Sequence, residues 1–402
     1  MSKVCFYFQV HQPFRLRKYS LFDIGKKNDY FEEKKDLKTN NEALFLKVAR
    51  KCYLPANKIM LQLLEKHPEF KISYSFSGTA LEQMEQFYPE VLTSFQSLVD
   101  TGRVELLSET YYHSLSFLYS KKEFIEQVNL HNKKLKDLFH YTPQVFRNTE
   151  LIYNNKIASS IEDLGYKGIL AEGWDYILNG RSPNMLYTPK GTKYIKVLLK
   201  NYKLSDDIAF RFSNRSWPEW PLTTGKFHHW LSTSGGDSVN LFMDYETLGE
   251  HQWEDTGIFD FISKLPNELL KNKNTTFTTP TELVETSPSQ GELDVPFLLS
   301  WADLERDVSA WLGNKMQQES LKNLYQLEPL IKQSNNKELL DTWRKLQTSD
   351  HFYYMCTKWF SDGDVHKYFN PYESPYEAFI TYTNTLNDLT LRVKELLQIN
   401  ES

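Results

Sequence analysis

Cysteine is nearly missing from this chain: there are three in 402 residues, at Cys5, Cys52 and Cys356. They are odd in number, far apart and without metal-ligand spacing, which excludes a disulfide framework and a thiolate zinc site and predicts three reduced, structural thiols. No stretch approaches the apolar length a membrane helix needs, so no membrane partner is expected. The N-terminus passes quickly into polar residues, without a basic region, a long apolar core and a small cleavage site, so the expected location is cytoplasmic. A dense basic block is also lacking. Lys and Arg total 47 against 52 Asp and Glu, a net charge of −5, which argues against nucleic acid. The 10 histidines never form H-x-D or H-x-x-x-H, and neither a metal nor another cofactor is expected. Low-complexity segments and solenoid repeats are absent.

Aromatic residues, by contrast, are plentiful: 15% of the chain, with 9 Trp and 24 Tyr. Most of them fill the core, but Trp217, Trp220 and Trp230 lie in polar surroundings. Sugars present flat C–H faces that stack on such rings, so a neutral, polyhydroxylated partner suits this composition better than a charged one. With 40% hydrophobic residues, a chain of this length fills one large domain and a smaller one.

Short β-favouring runs alternate with helical periodicity over most of the chain. Strands are predicted at residues 4–10, 71–76, 103–107, just before 147, and at 168–171, 194–199, 208–212, 239–243 and 276–280. Helices are predicted over 43–66, as two with Pro55 opening the second, and over 79–87, 90–99, 154–164 and 257–265. Another starts at the capping-box pair Ser120 and Glu123 and runs to about 138. Residues 19–41 read as a loop over a barrel mouth. From Asp303 the pattern is helical only, to Gln318 and then over 321–334, 337–348 and 376–397.

The strand ends carry the chemistry. The run from Val239 ends in Asp244, Glu246 and Glu250, followed by His251, and the short apolar run after Pro143 ends in Arg147, Asn148, Thr149 and Glu150. In a parallel β/α barrel the C-terminal strand ends form the active-site floor. Taken alone, Asp244 reads equally well as a helix cap. Two strands of the same design favour a pair of acids, the minimum equipment for glycoside hydrolysis. Other strand ends offer His11, the group Glu109, Tyr111, Tyr112 and His113, and the run Glu172-Gly173-Trp174-Asp175. Among the second group His113 is the better candidate, and Glu172 keeps a different acid pair open. Asp206, Asp207 and Arg211 read as a salt bridge, whereas Asp303 and Asp307 share one face of a predicted helix with Trp311 a turn further on.

Five segments then occur in order: H-Q-P at 11–13, G-R-V-E-L-L-S-E-T-Y-Y-H-S at 102–114, F-R-N-T-E-L at 146–151, M-D-Y-E-T-L-G-E-H at 243–251, and S-W-A-D-L-E-R-D-V-S-A-W-L-G-N at 300–314. Together they resemble the signature regions of glycoside hydrolase family 57, in its α-amylase-like branch. The resemblance implies a retaining enzyme on α-linked glucans, with Glu150 matching the nucleophile and Asp244 the acid/base. It further implies that His11 contacts the sugar and that the segment with Trp301 and Asp303 reaches back into the site. The expected substrate-binding set is His11, His113, Trp174, Glu246, His251, Trp301, Asp303 and Asp307, with an α-glucan or malto-oligosaccharide as partner. The expected fold is α/β, an incomplete (seven-stranded) β/α barrel over 1–285 followed by a helical C-terminal domain over 286–402. The motifs do not separate hydrolysis from α-glucanotransferase chemistry. More distant rivals are a metal-dependent polysaccharide deacetylase, for which the paired His and Asp ligands are not visible, and an inactive glucan-binding protein, which would have lost one of the two carboxylates.

Overall fold

The computed structural model describes residues 2–358 and 370–399. Two compact units emerge, and each gathers separate stretches of chain. The first takes Met1–His11, Leu46–Glu109 and Asn129–Trp301; the second takes Gln12–Phe45, Thr110–Val128 and Ala302–Ser402.

The strands of the first unit are β1 (Ser2–Val10), β2 (Ile72–Phe76), β3 (Val104–Leu106), β4 (Val145–Phe146), β5 (Gly168–Glu172), β6 (Leu186–Pro189), β7 (Lys196–Lys200), β8 (Ser238–Asp244), β9 (Thr275–Phe277) and β10 (Ser289–Leu293). One sheet runs β3-β2-β1-β8, with β9 beside the start of β1. The other runs β10-β6-β7-β5-β4, and every pairing but β6 with β7 is parallel. Backbone bonds also link the two sheets. Ser108 N donates to Val145 O at 3.0 Å, Arg147 N to Ser108 O at 2.8 Å, and Asn201 N to Asn240 O at 2.9 Å. Cys5, Tyr7, Leu107, Val145, Leu170, Leu198 and Phe242, drawn from both sheets and the segment after β3, form one buried cluster. That shared core explains why these strands are apolar almost without interruption.

Parallel neighbours need crossovers, which helices such as Gly78–Phe87, Pro89–Val99, Asn155–Asp163 and Ile258–Leu270 provide. Their starts are chemically defined: the Ser77 side chain accepts from Ala80 N, and the Asn154 side chain accepts from Ile157 N. In the second unit, helices Lys315–Gln326, Glu328–Ser334, Lys337–Lys345 and Pro375–Leu396 pack around Trp343 and Tyr382. The Trp343 indole donates to Leu324 O at 2.8 Å, and the Tyr382 hydroxyl donates to Leu346 O at 2.9 Å. Ser120 Oγ accepts from Glu123 N at 3.2 Å, the capping bond the sequence predicts, and the buried Glu123 side chain is neutralised by Arg344 at 2.8 Å and Lys332 at 2.9 Å.

Several expectations are corrected. Residues 208–212 are not a strand. Asn201 accepts from Leu204 N at 3.1 Å and starts a helix over Tyr202–Ala209, so local capping overrides the apolar run. Residues 303–318 are not one helix either: helix is confined to Ser309–Leu312 and Lys315–Gln326, and Asp303 and Arg306 take positive φ of 54° and 50°. Asp303 and Asp307 therefore share no helix face. The two helices expected over 43–66 are present and Pro55 opens the second, but the chain runs between them without a break. A π-helical turn over Ala49–Tyr53 joins Asn41–Val48 to Leu54–Lys66, and Pro55 sits harmlessly in the first turn of the latter. Strands β6 and β10 were not foreseen. All three cysteines are buried and free. Among the described residues, no helix is long and apolar enough to cross a membrane.

Candidate active site

Strand β8 delivers Asp244 as the partly exposed end of the buried run Leu241, Phe242 and Met243. Asp244 precedes a short 3-10 turn over Tyr245–Thr247, but its side chain makes no capping bond, so the helix-cap reading does not hold. The turn sends Glu246 into a buried position, where the Tyr53 hydroxyl donates to it and His11 N approaches its Oε1 at 3.4 Å. Tyr53 is carried there by the π-helical turn. Burial first, and then the charge of Asp244, push the Glu246 carboxyl up to about 8. At neutral pH Glu246 thus holds a proton beside Asp244. The His11 ring meets Ser77 Oγ at 2.7 Å through Nδ1, and burial pushes His251 down to about 4, so its imidazole is neutral at pH 7.

The end of β4 is built differently. Arg147, Asn148 and Thr149 are buried, and Glu150 is the partly exposed residue beyond them. Glu150 adopts φ 56° and ψ 28°, and Leu151 follows at φ 51°. Two successive left-handed non-glycine residues persist only where the surroundings over-determine them. Here Tyr153 and Leu299 exchange backbone bonds of 2.8 and 2.9 Å, which brings the chain after Leu299 alongside. Trp301 then donates through Nε1 to Glu150 Oε2 at 2.9 Å and through its backbone N to Glu150 O at 3.4 Å.

The Trp301 ring is itself flanked by cations, Arg147 at 5.0 Å and Lys200 at 5.3 Å from its centroid. Lys200, buried at the end of β7, pairs with Asp206 at 3.0 Å and lies 3.8 Å from Glu172. Glu172 is fully buried and accepts from Gly173 N at 2.8 Å, unlike the partly exposed Glu150 and Asp244. Arg147 is fully buried, and its three side-chain nitrogens have no hydrogen-bond partner among the described residues. Beneath lies a polar network: Gln9 Nε2 donates to Glu109 at 2.9 Å, and the Tyr7 hydroxyl meets Gln9 at 2.7 Å and Ser75 at 2.6 Å. Burial pushes the Tyr7 phenol well up. The Arg147 charge opposes that shift while Glu109 and Asp244 add to it, so the charged ends of β4 and β8 act on one buried side chain.

Of the expected site residues, the structure brings Glu150 to Trp301, and Glu246 to His11 and Asp244. Trp174, half-buried just after β5, packs its ring 4.9 Å from that of Tyr176. His113, Asp303 and Asp307 belong to the second unit. There His113 is buried at φ 51°, with its carbonyl accepting from Ser349 N at 2.9 Å. Asp303 lies 3.4 Å from Lys358, and exposed Asp307 accepts from Ser309 N at 2.8 Å. Asp207 does pair with Arg211, at 2.6 Å, whereas Asp206 turns to Lys200. Sequence reasoning singled out neither Arg147 nor Lys200, although Arg147 stands in the same segment as Glu150 and Lys200 ends a strand. Tyr53 carried no signal at all, because its place depends on the π-helical turn. No group of three or more His, Cys, Asp or Glu among the described residues is arranged to hold a metal ion.

Comparison with known proteins gives a consistent picture. The model of glycosyl hydrolase family 57 matches residues 5–296. A Methanocaldococcus jannaschii protein named "Putative alpha-amylase" is 45% identical over 99% of this chain and 86% of its own length. A Thermococcus litoralis 4-alpha-glucanotransferase is 24% identical over 41% of this chain, a match that spans only 25% of that enzyme. In fold, the chain is similar to the GH57-type branching enzyme of Pyrococcus horikoshii, with a TM-score of 0.67 at 15% identity over 99% of this chain and 95% of that one.

Proposed function

The chain belongs to glycosyl hydrolase family 57, and from that premise we propose that it acts on α-glucosidic bonds of glucans or malto-oligosaccharides, with Glu150 as nucleophile and Asp244 as acid/base. One observation carries the reading: Glu150 sits at a strand end in an unfavourable left-handed backbone and is clamped by the Trp301 indole at 2.9 Å. A purely structural glutamate has no use for that arrangement, whereas a carboxylate that must meet an anomeric carbon does. Glu150 attacks the anomeric carbon as the carboxylate, and Asp244 gives its proton to the departing glycosidic oxygen. Asp244 then takes the proton from the incoming acceptor as the acceptor oxygen displaces Glu150. In the reacting form Asp244 carries the proton, and Glu246, whose own proton is held chiefly by burial, then adds no negative charge beside it.

The fold detail and the wider site belong to the same proposal. The bonds between β3 and β4 and between the ends of β7 and β8 support a seven-stranded barrel, β1-β2-β3-β4-β5-β7-β8, over 1–285. The helical domain assigned to 286–402 takes its helices from the chain after Trp301, since β10 still belongs with the first unit. His11, Glu246, His251, Trp301 and Trp174 would line the sugar path. A cytoplasmic enzyme of this kind would work on storage polymer or imported oligosaccharides.

If water is the acceptor the enzyme is an amylase; if a second sugar is the acceptor it is an α-glucanotransferase. The likeness to the Thermococcus litoralis enzyme favours keeping the second reading. Incubation with maltoheptaose, products resolved by size over time, decides. Only shorter products mean hydrolysis, longer ones mean transfer, and an inert substrate overturns the proposal.

A further inference from the structure

Beyond the reacting carboxylates, the first unit carries an aromatic surface that extends outward from Trp174, the ring already placed in the proposed sugar path. Trp174, Tyr176 and Phe297 form a ladder, with ring centroids 4.9 Å apart between the first two and 6.1 Å between the last two. Tyr176 is 70% exposed and Phe297 37%, so two of the three rings meet solvent. Two exposed rings beside a half-buried one leave contiguous apolar surface in water, the kind of patch that marks a ligand surface.

Asp175, which stands between Trp174 and Tyr176 in the chain, helps to line a pocket of about 190 Å³ with Ser182, Pro183, Asn184, Asn201, Tyr202 and Lys203. Its lining combines hydroxyls, amides and one ion pair with the apolar ring of Pro183. Asp175 accepts from the Tyr202 hydroxyl at 2.9 Å and lies 3.1 Å from Lys203. Both members of that pair are well exposed, so the pair is weak and trades readily for hydrogen bonds to a neutral ligand's hydroxyls. Gly173 fixes the two parts against each other. A Cβ there would meet Lys200 O at 2.2 Å and Pro183 Cβ at 2.9 Å, so only glycine lets the chain carry Trp174 this close to the pocket wall.

Flat apolar faces next to a polar, nearly neutral pocket match one ligand chemistry, a chain of pyranose rings with C–H faces and equatorial hydroxyls. An apolar peptide would use the rings but leave the Asp175 and Lys203 charges poorly matched. We propose that Trp174, Tyr176, Phe297 and the adjoining pocket form an outer platform that binds an α-glucan chain away from the bond being cleaved. This rests on the glucan reading above and extends it to chain-length preference. The platform is continuous with the site, because Trp174 follows Glu172, which shares Lys200 with the Trp301 ring that holds Glu150.

The test uses the full chain and two readouts. In native gels containing amylopectin, the Tyr176→Ala/Phe297→Ala double variant should bind about tenfold more weakly than the parent, while Tyr176→Phe restores retardation because the ring face is kept. In turnover, the ratio of kcat/KM on maltoheptaose to that on maltotriose should fall about tenfold in the double variant. Both side chains are exposed, so an unchanged circular dichroism spectrum and melting temperature are expected. A parent that cleaves maltoheptaose and a double variant that binds amylopectin equally well overturn the platform and leave the glucan reading standing. A parent that neither binds nor cleaves any α-glucan overturns both.

Discussion

The Trp301 indole N–H donates to Glu150 Oε2 at 2.9 Å across 151 positions of sequence. This bond holds the carboxylate oxygen in place while Arg147 and Lys200 flank the ring. Replacing Trp301 with Phe keeps a ring and removes the donor. A hydrogen bond to a charged group contributes about 1.5–3 kcal/mol, so kcat/KM on maltoheptaose should fall by roughly 10- to 150-fold. Thermal unfolding should shift little. Turnover equal to the parent's would reduce the bond to packing.

Glu246 gives a pH signature in stability. Its folded value is raised to about 8 from an ordinary 4.5, chiefly by burial and then by Asp244. The sign follows from proton counting: between those values the folded chain holds a proton that the unfolded chain has lost, so stability falls as pH rises through this window. The cost by pH 8 is on the order of a few kcal/mol for a group this deeply buried. Glu246→Gln removes the titration, and urea unfolding of the variant should lose less stability between pH 5 and 8 than the parent does. Identical slopes would mean that Glu246 ionises normally.

Arg147 is a buried permanent charge without a hydrogen-bond partner among the described residues, and Trp301 lies between it and Glu150. Exchanging a buried ion for an apolar residue of similar size is often neutral or even stabilising, so Arg147→Met should still fold. Losing the positive charge makes nearby carboxylates harder to ionise. The acid limb of the kcat/KM profile should therefore move to higher pH, whereas Arg147→Lys should move it less. A Met variant with an unmoved acid limb would make Arg147 a structural residue only.

How far these features could be read from the chain follows from where the signal resides. The ends of β4 and β8 were legible because buried parallel strands are written as apolar runs, and an acid at the end of such a run stands out. The carboxylates' different surroundings were not, since Tyr53 reaches Glu246 through a π-helical turn that leaves no residue pattern. Residues 208–212 were misread because five apolar-rich positions look alike in strand and helix, and the deciding cap, Asn201, stands outside them. Asp303 was placed on a helix by spacing alone, but left-handed backbone at Asp303 and Arg306 interrupts any helix there. Periodicity sees side chains, not φ.

The acid pair carries the last prediction. With double displacement, the carboxyl groups of Glu150 and Asp244 should close to about 5–5.5 Å around the substrate, since an inverting enzyme needs a wider gap for water. Both bond-breaking and bond-making then occur on the same face, and the first product released keeps the α configuration. Glu150→Gln removes the attacking oxygen anion and should abolish turnover on every substrate. Asp244→Asn removes only the proton supply, so aryl glycosides whose phenol is already acidic should retain measurable turnover while maltoheptaose does not. Proton NMR of the first product distinguishes the anomers directly. Early β-anomer would reverse the stereochemistry and the roles with it, and buried Glu172, 3.8 Å from Lys200, would become the next acid to replace.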